Sequence, residues 1–348
     1  MIGRTLEIKY RLDAELGRGG MGTVYRATRL LIGDTVAVKI LHAELVKDAQ
    51  SAERFRREAQ AAARLKHPNV VTVYDFGITD DGLVYLVMEL IEGESLRHII
   101  KQNGALPLAT AAEITRQICG ALDEAHEAQI VHRDMKPDNV IVRQTPHGLR
   151  VKVLDFGIAK LRDAALTANN LTQTGTVLGT PFYMSPEQCM GEEVDHRADI
   201  YSVGVILYEM LVGAVPFNSP TPTAVAVQHA TQQPTSPRAI NLSIPAAVEA
   251  VVLHALQKRR EARPQTAGAL ARELTDEIND ATQARHVPAM PPTQPAATPP
   301  PNVNSGTMPT VVMSNPAWQS SAMPPVGASS PHHQNTTSAK SYRSVLLA

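Results

Sequence analysis

The chain has 348 residues, with 33 Lys+Arg against 34 Asp+Glu, a net charge of −1, and 43% apolar residues. That balance lacks the basic excess that nucleic-acid or membrane-surface binding needs, and aromatics at 4% exclude a base-stacking platform. Two cysteines, Cys119 and Cys189, exclude a disulfide scaffold and a Cys-rich zinc site and fit a reducing cytosol, while the length suits one large domain or two lobes with a tail.

The first residues mix charged and apolar positions and lack a signal peptide's apolar stretch. Ile2 stands where a myristoylation signal has glycine, so a cytoplasmic location is expected. Residues 1–9 read as an N-terminal extension. Residues 23–28 and 35–41 are short and β-branched, which predicts strands. Residues 51–65 predict a helix, with Phe55, Ala59 and Ala62 on one face at i, i+4, i+7. Residues 70–76 and 83–90 predict two further strands. From Leu108 onward helical spacing dominates, as in Ile114, Ile118, Leu122 and Ala125. Residues 200–217 are the most membrane-like run, but Asp199, Glu209 and Pro216 favour a helix buried on all sides by protein. The architecture expected is α+β, a small β-rich lobe followed by a large α-rich one.

Composition shifts near residue 286. Residues 288–348 hold 12 of the 25 prolines and only two charged residues, Lys340 and Arg343. Such a segment buries too little apolar surface to offset its ordering entropy, so residues 281–348 are expected to be a disordered Pro/Ser/Thr-rich tail. It reads as a linker, with docking of a partner as the alternative. The last residues are too short to span a bilayer; membrane anchoring requires a chain that continues beyond Ala348.

Leu16-Gly-Arg-Gly-Gly-Met-Gly-Thr-Val24 contains Gly17-x-Gly19-x-x-Gly22-x-Val24. Three glycines at that spacing also open dinucleotide folds, which place a helix directly after them. Here a β-branched strand follows, then a second one bearing Lys39, so the dinucleotide reading loses. A glycine-rich hairpin lets backbone amides approach phosphate oxygens. Strand alternation puts Val38 on the face opposite Lys39. Glu58 lies three residues after Phe55 and four before Ala62 and is expected to face inward, where it needs a cation; Lys39 is the candidate.

Val131-His-Arg-Asp-Met-Lys-Pro-Asp-Asn139 and Val151-Lys-Val-Leu-Asp-Phe-Gly157 carry the remaining chemistry. Phosphoryl transfer needs a carboxylate beside the attacking hydroxyl, cations against phosphate charge and hard oxygen ligands for Mg²⁺. Asp134, Lys136, Asn139 and Asp155 are that set. With the glycine loop, Lys39 and Glu58, the chain resembles the eukaryotic-like (Hanks-type) protein kinases, close to bacterial Ser/Thr kinases. The motifs stand in the family's order over about residues 10–280.

The resemblance implies a bilobal kinase fold. Its N-lobe, about residues 10–90, is β-rich with one helix, and its α-helical C-lobe covers about 91–280. It also implies ATP and Mg²⁺, with Mn²⁺ as a substitute. By resemblance Asp134 is the catalytic base and Lys136 steadies the transferring phosphate. Asn139 and Asp155 ligate the metal, and Lys39 holds the α- and β-phosphates while paired to Glu58. Leu16, Gly17, Gly19, Gly22, Val24 and Ala37 line the nucleotide site, Met88 stands at its back, and the Glu89 carbonyl and Ile91 amide form the adenine hinge. His132 resembles the family's structural histidine. Met135 for Leu and Ser185-Pro-Glu187 for Ala-Pro-Glu are departures that touch no reacting group.

Gly179-Thr-Pro-Phe-Tyr-Met-Ser-Pro-Glu187 resembles the peptide platform of Ser/Thr kinases, and Lys136 points the same way. Thr180 resembles the threonine that contacts Asp134 and Lys136. A Thr-rich loop is ordinarily just well solvated. Here Arg133 precedes the catalytic Asp and is suited to bind a phosphothreonine, so Thr172, Thr174 and Thr176 are expected autophosphorylation sites. Asp199 and Arg263 resemble scaffold residues, the second as partner of Glu187. Protein substrates and a kinase homodimer for trans-autophosphorylation are the implied partners, with no nucleic acid. Two other classes compete. The intact Lys39, Asp134, Asn139 and Asp155 argue against an inert scaffold, and the platform argues against a small-molecule phosphotransferase.

Overall fold

A computed structural model describes residues 1–46, 49–156 and 181–286. Thr172, Thr174, Thr176, Thr180 and the tail beyond His286 lie outside these residues. The front of the chain is an antiparallel sheet in the order β1-β2-β3-β4-β6-β5. Its strands are β1 (Thr5–Leu6), β2 (Tyr10–Gly19), β3 (Gly22–Arg29), β4 (Thr35–Leu41), β5 (Val73–Ile78) and β6 (Val84–Glu89). The period-two alternation of β4 sorts its side chains to two faces. Val36, Val38 and Ile40 join Leu12 and Tyr85 in one cluster, whereas Ala37 and Leu41 join Phe55, Ala59 and Met88 in another. Lys39 has the parity of Ala37 and is 2% exposed. Thr5 and Leu6 pair with Arg11 and Tyr10, so the residues read as an extension add an edge strand.

Helix α1 (Ala49–Ala62) packs Phe55 and Ala59 on the inner face of the sheet. It ends earlier than the expected residue 65, because Pro68 disfavours helical backbone in the residue before it and the chain turns first.

The back of the chain is helical: α2 (Leu96–Asn103), α3 (Leu108–Glu127), α4 (Pro186–Met190), α5 (Arg197–Val212), α6 (Pro222–Thr231), α7 (Pro237–Ile240), α8 (Ala246–Ala255) and α9 (Ala267–His286). Every residue of α5 from Ala198 to Leu211 is buried, which accounts for the all-round apolar run. Among the described residues no helix is long and apolar enough to cross a membrane. Helix α9 continues past the boundary expected at 280, since Ala281 and Ala284 favour helix and the first proline comes at 288.

One element in this lobe departs from the helical expectation. Strands β7 (Glu94–Ser95), β8 (Val140–Thr145) and β9 (Gly148–Val153) form an antiparallel sheet. The β8–β9 hairpin leaves the catalytic segment at one end and delivers Asp155 at the other, so a local β-branched signal, Val140-Ile-Val142, positions two parts of the site.

His229 on α6 is fully buried, with Nδ1 against the Tyr201 hydroxyl at 2.9 Å. Burial, then the charge of Lys258, pushes its pKa down from 6.5 to about 4. The unfolded chain therefore binds a proton that the folded chain refuses between those values. Stability is full above about pH 6.5 and falls as pH drops toward 4, by an amount on the order of 3 kcal/mol. Denaturant midpoints of the parent and His229→Gln between pH 7 and 4 check this; the variant is expected to show a shallower decline.

Candidate active site

The glycine hairpin closes with Gly19 opposite Gly22, and Gly17 faces Val24. A Cβ on Gly22 would lie 2.1 Å from the Ile40 carbonyl oxygen, so the close approach of β3 to β4 requires glycine there. Behind the hairpin, Val24 pairs with Lys39 and Ala37 with Met88 across the sheet. Val24, Ala37, Met88 and Ile91 share one apolar cluster with Leu154 and Ile141, and Leu16 packs against it. Ile141 and Leu154 come from the second lobe and were not singled out from sequence, although both sit in β-branched runs beside the catalytic segments. A small pocket beside Met88 is lined by Val71, Leu86, Asp155 and Phe156.

Glu89, expected at the adenine hinge, is anchored through its carboxylate, which accepts from Lys152 Nζ at 2.5 Å and from the Thr72 amide at 2.7 Å. Lys152 also donates to the Val70 carbonyl. These bonds tie β9 to the strand leading into the hinge, a constraint with no local sequence signal.

Lys39 departs from its expected pairing. Its Nζ donates to Asp155 Oδ2 at 2.7 Å, and among the described residues this is the ion pair it makes, rather than one with Glu58. A buried ammonium needs a carboxylate in direct reach. Asp155 supplies it from the end of β9, whereas Glu58 is half-buried on the flank of the α1 face whose centre is Phe55 and Ala59.

The segment from Val131 to Asn139 is a knot of short contacts. Lys136 Nζ donates to Asp134 Oδ2 at 2.7 Å. Asn139 Nδ2 donates to the Asp134 carbonyl at 2.8 Å and lies 3.3 Å from Oδ2. The Leu154 amide donates to the Asn139 carbonyl at 2.9 Å, which sets Asp155 next to that knot. His132 is fully buried; the Asp134 amide donates to its Nδ1, so Nε2 carries the proton and donates to the Leu154 carbonyl at 2.7 Å. Its place is therefore in the scaffold.

Arg133 and Asp155 both hold left-handed backbone, with φ of 64° and 60°. Such conformations cost non-glycine residues of order 1–3 kcal/mol and persist where the surroundings over-determine them. At Arg133 the restraint is Asp199, whose two oxygens accept from the His132 and Arg133 amides at 2.8 Å each. Burial alone would raise the Asp199 carboxyl; the hydrogen bond from His126 Nε2, with the nearby His132, outweighs it and holds the carboxyl below its ordinary range. His126 was missed from sequence. Its signal was a histidine four residues after Leu122, in register with the buried face of α3.

The Arg133 guanidinium meets no carboxylate among the described residues, and its carbonyl accepts from Gln188 Nε2 at 2.8 Å. Ser185 and Gln188 cap α4 reciprocally. Arg263 reaches Glu187 with two hydrogen bonds of 2.8 and 2.7 Å.

The donor set fits a hard divalent cation. Asn139 turns its amide nitrogen toward the Asp134 carbonyl, so its side-chain oxygen and the Asp155 carboxylate are the oxygens that would hold such an ion. No group of three His, Cys, Asp or Glu suited to a metal occurs among the described residues.

Residues 10–275 match the family described as the protein kinase domain. The chain is 43% identical over 278 residues to the serine/threonine-protein kinase pkn3 of Myxococcus xanthus, covering 78% of this chain and 50% of that protein. It is 44% identical over 272 residues to the serine/threonine-protein kinase PknB of Mycobacterium tuberculosis, covering 77% and 43%. The chain thus spans half or less of the length of these relatives. Among solved structures, the Mycobacterium tuberculosis PknI kinase domain aligns with a TM-score of 0.63 at 28% identity, covering 80% of this chain and 99% of that one.

Proposed function

We propose, from the fact that this chain belongs to the protein kinase family, that it transfers the γ-phosphoryl group of ATP to serine or threonine hydroxyls of proteins. The observation that carries the reading is the linked set Lys136–Asp134–Asn139–Leu154–Asp155–Lys39, which gathers a carboxylate, two ammonium groups and two oxygen ligands at one place.

In this reading Asp134 orients the acceptor hydroxyl and takes its proton, with Oδ2 held by Lys136 until substrate arrives. Lys136 then turns to the transferring phosphate. Lys39 neutralises the α- and β-phosphates, and the buried ammonium needs that charge when it leaves Asp155. Asn139 and Asp155 would hold Mg²⁺, or Mn²⁺ in its place, and the ion offsets phosphate charge when bound. Leu16, Val24, Ala37 and Met88 enclose the adenine, with the Glu89 carbonyl and Ile91 amide as its polar contacts. Gly17, Gly19 and Gly22 bring backbone amides to the phosphates. Glu58 becomes the partner of Lys39 once Asp155 turns to the metal.

The catalytic unit is proposed to occupy residues 10–280, with the Pro-rich tail as a docking segment for a partner. Two copies are proposed to phosphorylate one another on Thr172, Thr174 or Thr176, where a phosphate would meet Arg133 and order the loop. Thr180 is proposed to contact Asp134 and Lys136. Mass spectrometry of the purified chain after incubation with Mg·ATP, beside Asp134→Ala, tests the reading. Phosphate on one of the three threonines in the parent alone is expected; no phosphate on the parent despite ATP binding contradicts it.

A further inference from the structure

Arg97 lies in the first turn of α2, where the helix dipole disfavours a cation. Its partners explain its presence. Nε donates to Asp138 Oδ2 at 3.2 Å, Nη1 to Glu209 Oε1 at 2.8 Å and Nη2 to the Tyr183 hydroxyl at 2.5 Å. The guanidinium carbon also lies 5.2 Å from the Tyr183 ring centre. The Tyr183 hydroxyl in turn donates to Glu209 Oε2 at 2.5 Å. One side chain therefore joins four segments: α2, the turn Pro137–Asn139 that follows Lys136, the Pro-Phe-Tyr stretch after Thr180, and the buried helix α5.

These segments differ in what they do. Asp138 stands two residues beyond Lys136 and next to Asn139, so it moves with the catalytic segment. Tyr183 belongs to the stretch that resembles a peptide platform, and Ser202 of α5 fixes its carbonyl by a 2.6 Å hydrogen bond. Glu209 is 7% exposed within the buried helix α5, whereas Arg97 and Asp138 are each 31% exposed. A planar guanidinium with a fixed fork of donors sets the separation of its three acceptors; a lysine ammonium cannot span them with the same geometry.

We propose that Arg97 is a positioning residue that holds the acceptor-peptide platform in register with the catalytic segment through Tyr183 and Asp138. The inference rests on the phosphoryl-transfer reading above and adds a determinant of acceptor placement remote from the nucleotide. The effect falls on the acceptor and spares the nucleotide, because none of Arg97's contacts reaches Lys39, Asp155 or the hinge.

The test compares the full chain with Arg97→Ala, Arg97→Lys and the double variant Arg97→Ala/Glu209→Gln, in which no buried carboxylate is left without its cation. Initial rates are measured against myelin basic protein as acceptor, and nucleotide affinity with Mg·AMP-PNP. Misplacing a reacting group by about 1 Å costs on the order of 10²-fold in rate, and partial loosening costs less. The expected result is an acceptor KM raised about tenfold in the alanine and double variants, intermediate in Arg97→Lys, with nucleotide Kd unchanged within about twofold. An unmoved acceptor KM in the double variant overturns the proposal, as does a parallel loss of nucleotide affinity. A parent that transfers no phosphate sinks the underlying reading too, whereas an active parent with an unmoved KM removes Arg97's role alone.

Discussion

Replacing Asp134 by asparagine is expected to lower phosphoryl transfer about 10²- to 10⁴-fold, the range over which a positioned acid or base contributes. An amide of nearly the same shape keeps the acceptor oxygen that Lys136 Nζ now meets at 2.7 Å, and Asn139 still bonds the main-chain carbonyl of residue 134. The scaffold beneath is untouched, because Asp199 grips the His132 and Arg133 amides rather than this side chain. What the amide cannot do is accept the proton of the attacking hydroxyl. The loss should therefore fall on kcat, with Mg·ATP affinity and melting temperature close to the parent. Steady-state kinetics with separate nucleotide binding check this; a variant that keeps a tenth or more of the parent's kcat would move the base elsewhere.

The second large effect concerns stability. Arg263 is 2% exposed and makes five hydrogen bonds, two to the Glu187 carboxylate and the others to the carbonyls of Gln257, Lys258 and Arg197. Burial alone would raise the Glu187 carboxyl; the hydrogen bonds and charge of Arg263 outweigh it and hold the group below its ordinary range. Arg263→Met removes the cation and leaves a buried carboxylate and three carbonyls without their donor. Removing one partner of such a pair costs about 3–5 kcal/mol, or on the order of 10 °C in melting temperature for a domain this large. Arg263→Lys should recover only part of it, since an ammonium cannot bond both carboxylate oxygens and three carbonyls together. Thermal melts of both variants measure the effect; a methionine variant melting within about 2 °C of the parent contradicts the assignment.

The contrast between those two sites shows what the sequence can carry. Asp134, Lys136 and Asn139 could be grouped from the sequence because they lie in one short stretch whose geometry is local, and Asp155 because its segment follows in the order of the motifs that the chain resembles. Lys39 was legible from strand parity. The pairing of Lys39 was not, because strand parity says which face a side chain takes and nothing about which of two inward carboxylates reaches it first. His126 with Asp199, Lys152 with Glu89 and Arg97 with Glu209 share that limit. The last pair is 112 residues apart, and only the tertiary fold brings its members together. The β-rich and helix-rich halves followed from periodicity, while the β8–β9 hairpin inside the helical lobe was masked by the helices on both sides of it. The all-round apolar run of α5 reads as buried protein because it carries acids that a lipid span would not hold; Asp199 and Glu209 are both buried in it, the first paired with His126 and the second with Arg97 and Tyr183.

The transfer of the γ-phosphoryl group of ATP onto protein hydroxyls, proposed for this chain, can be observed directly. The most direct measurement incubates the purified chain and an acceptor protein with γ-³²P-labelled ATP and Mg²⁺, then identifies the labelled amino acids after hydrolysis. Label in phosphothreonine and phosphoserine, absent in Asp134→Asn, is the predicted result. Label released only as inorganic phosphate, or retained equally by the Asp134→Asn variant, would contradict the account.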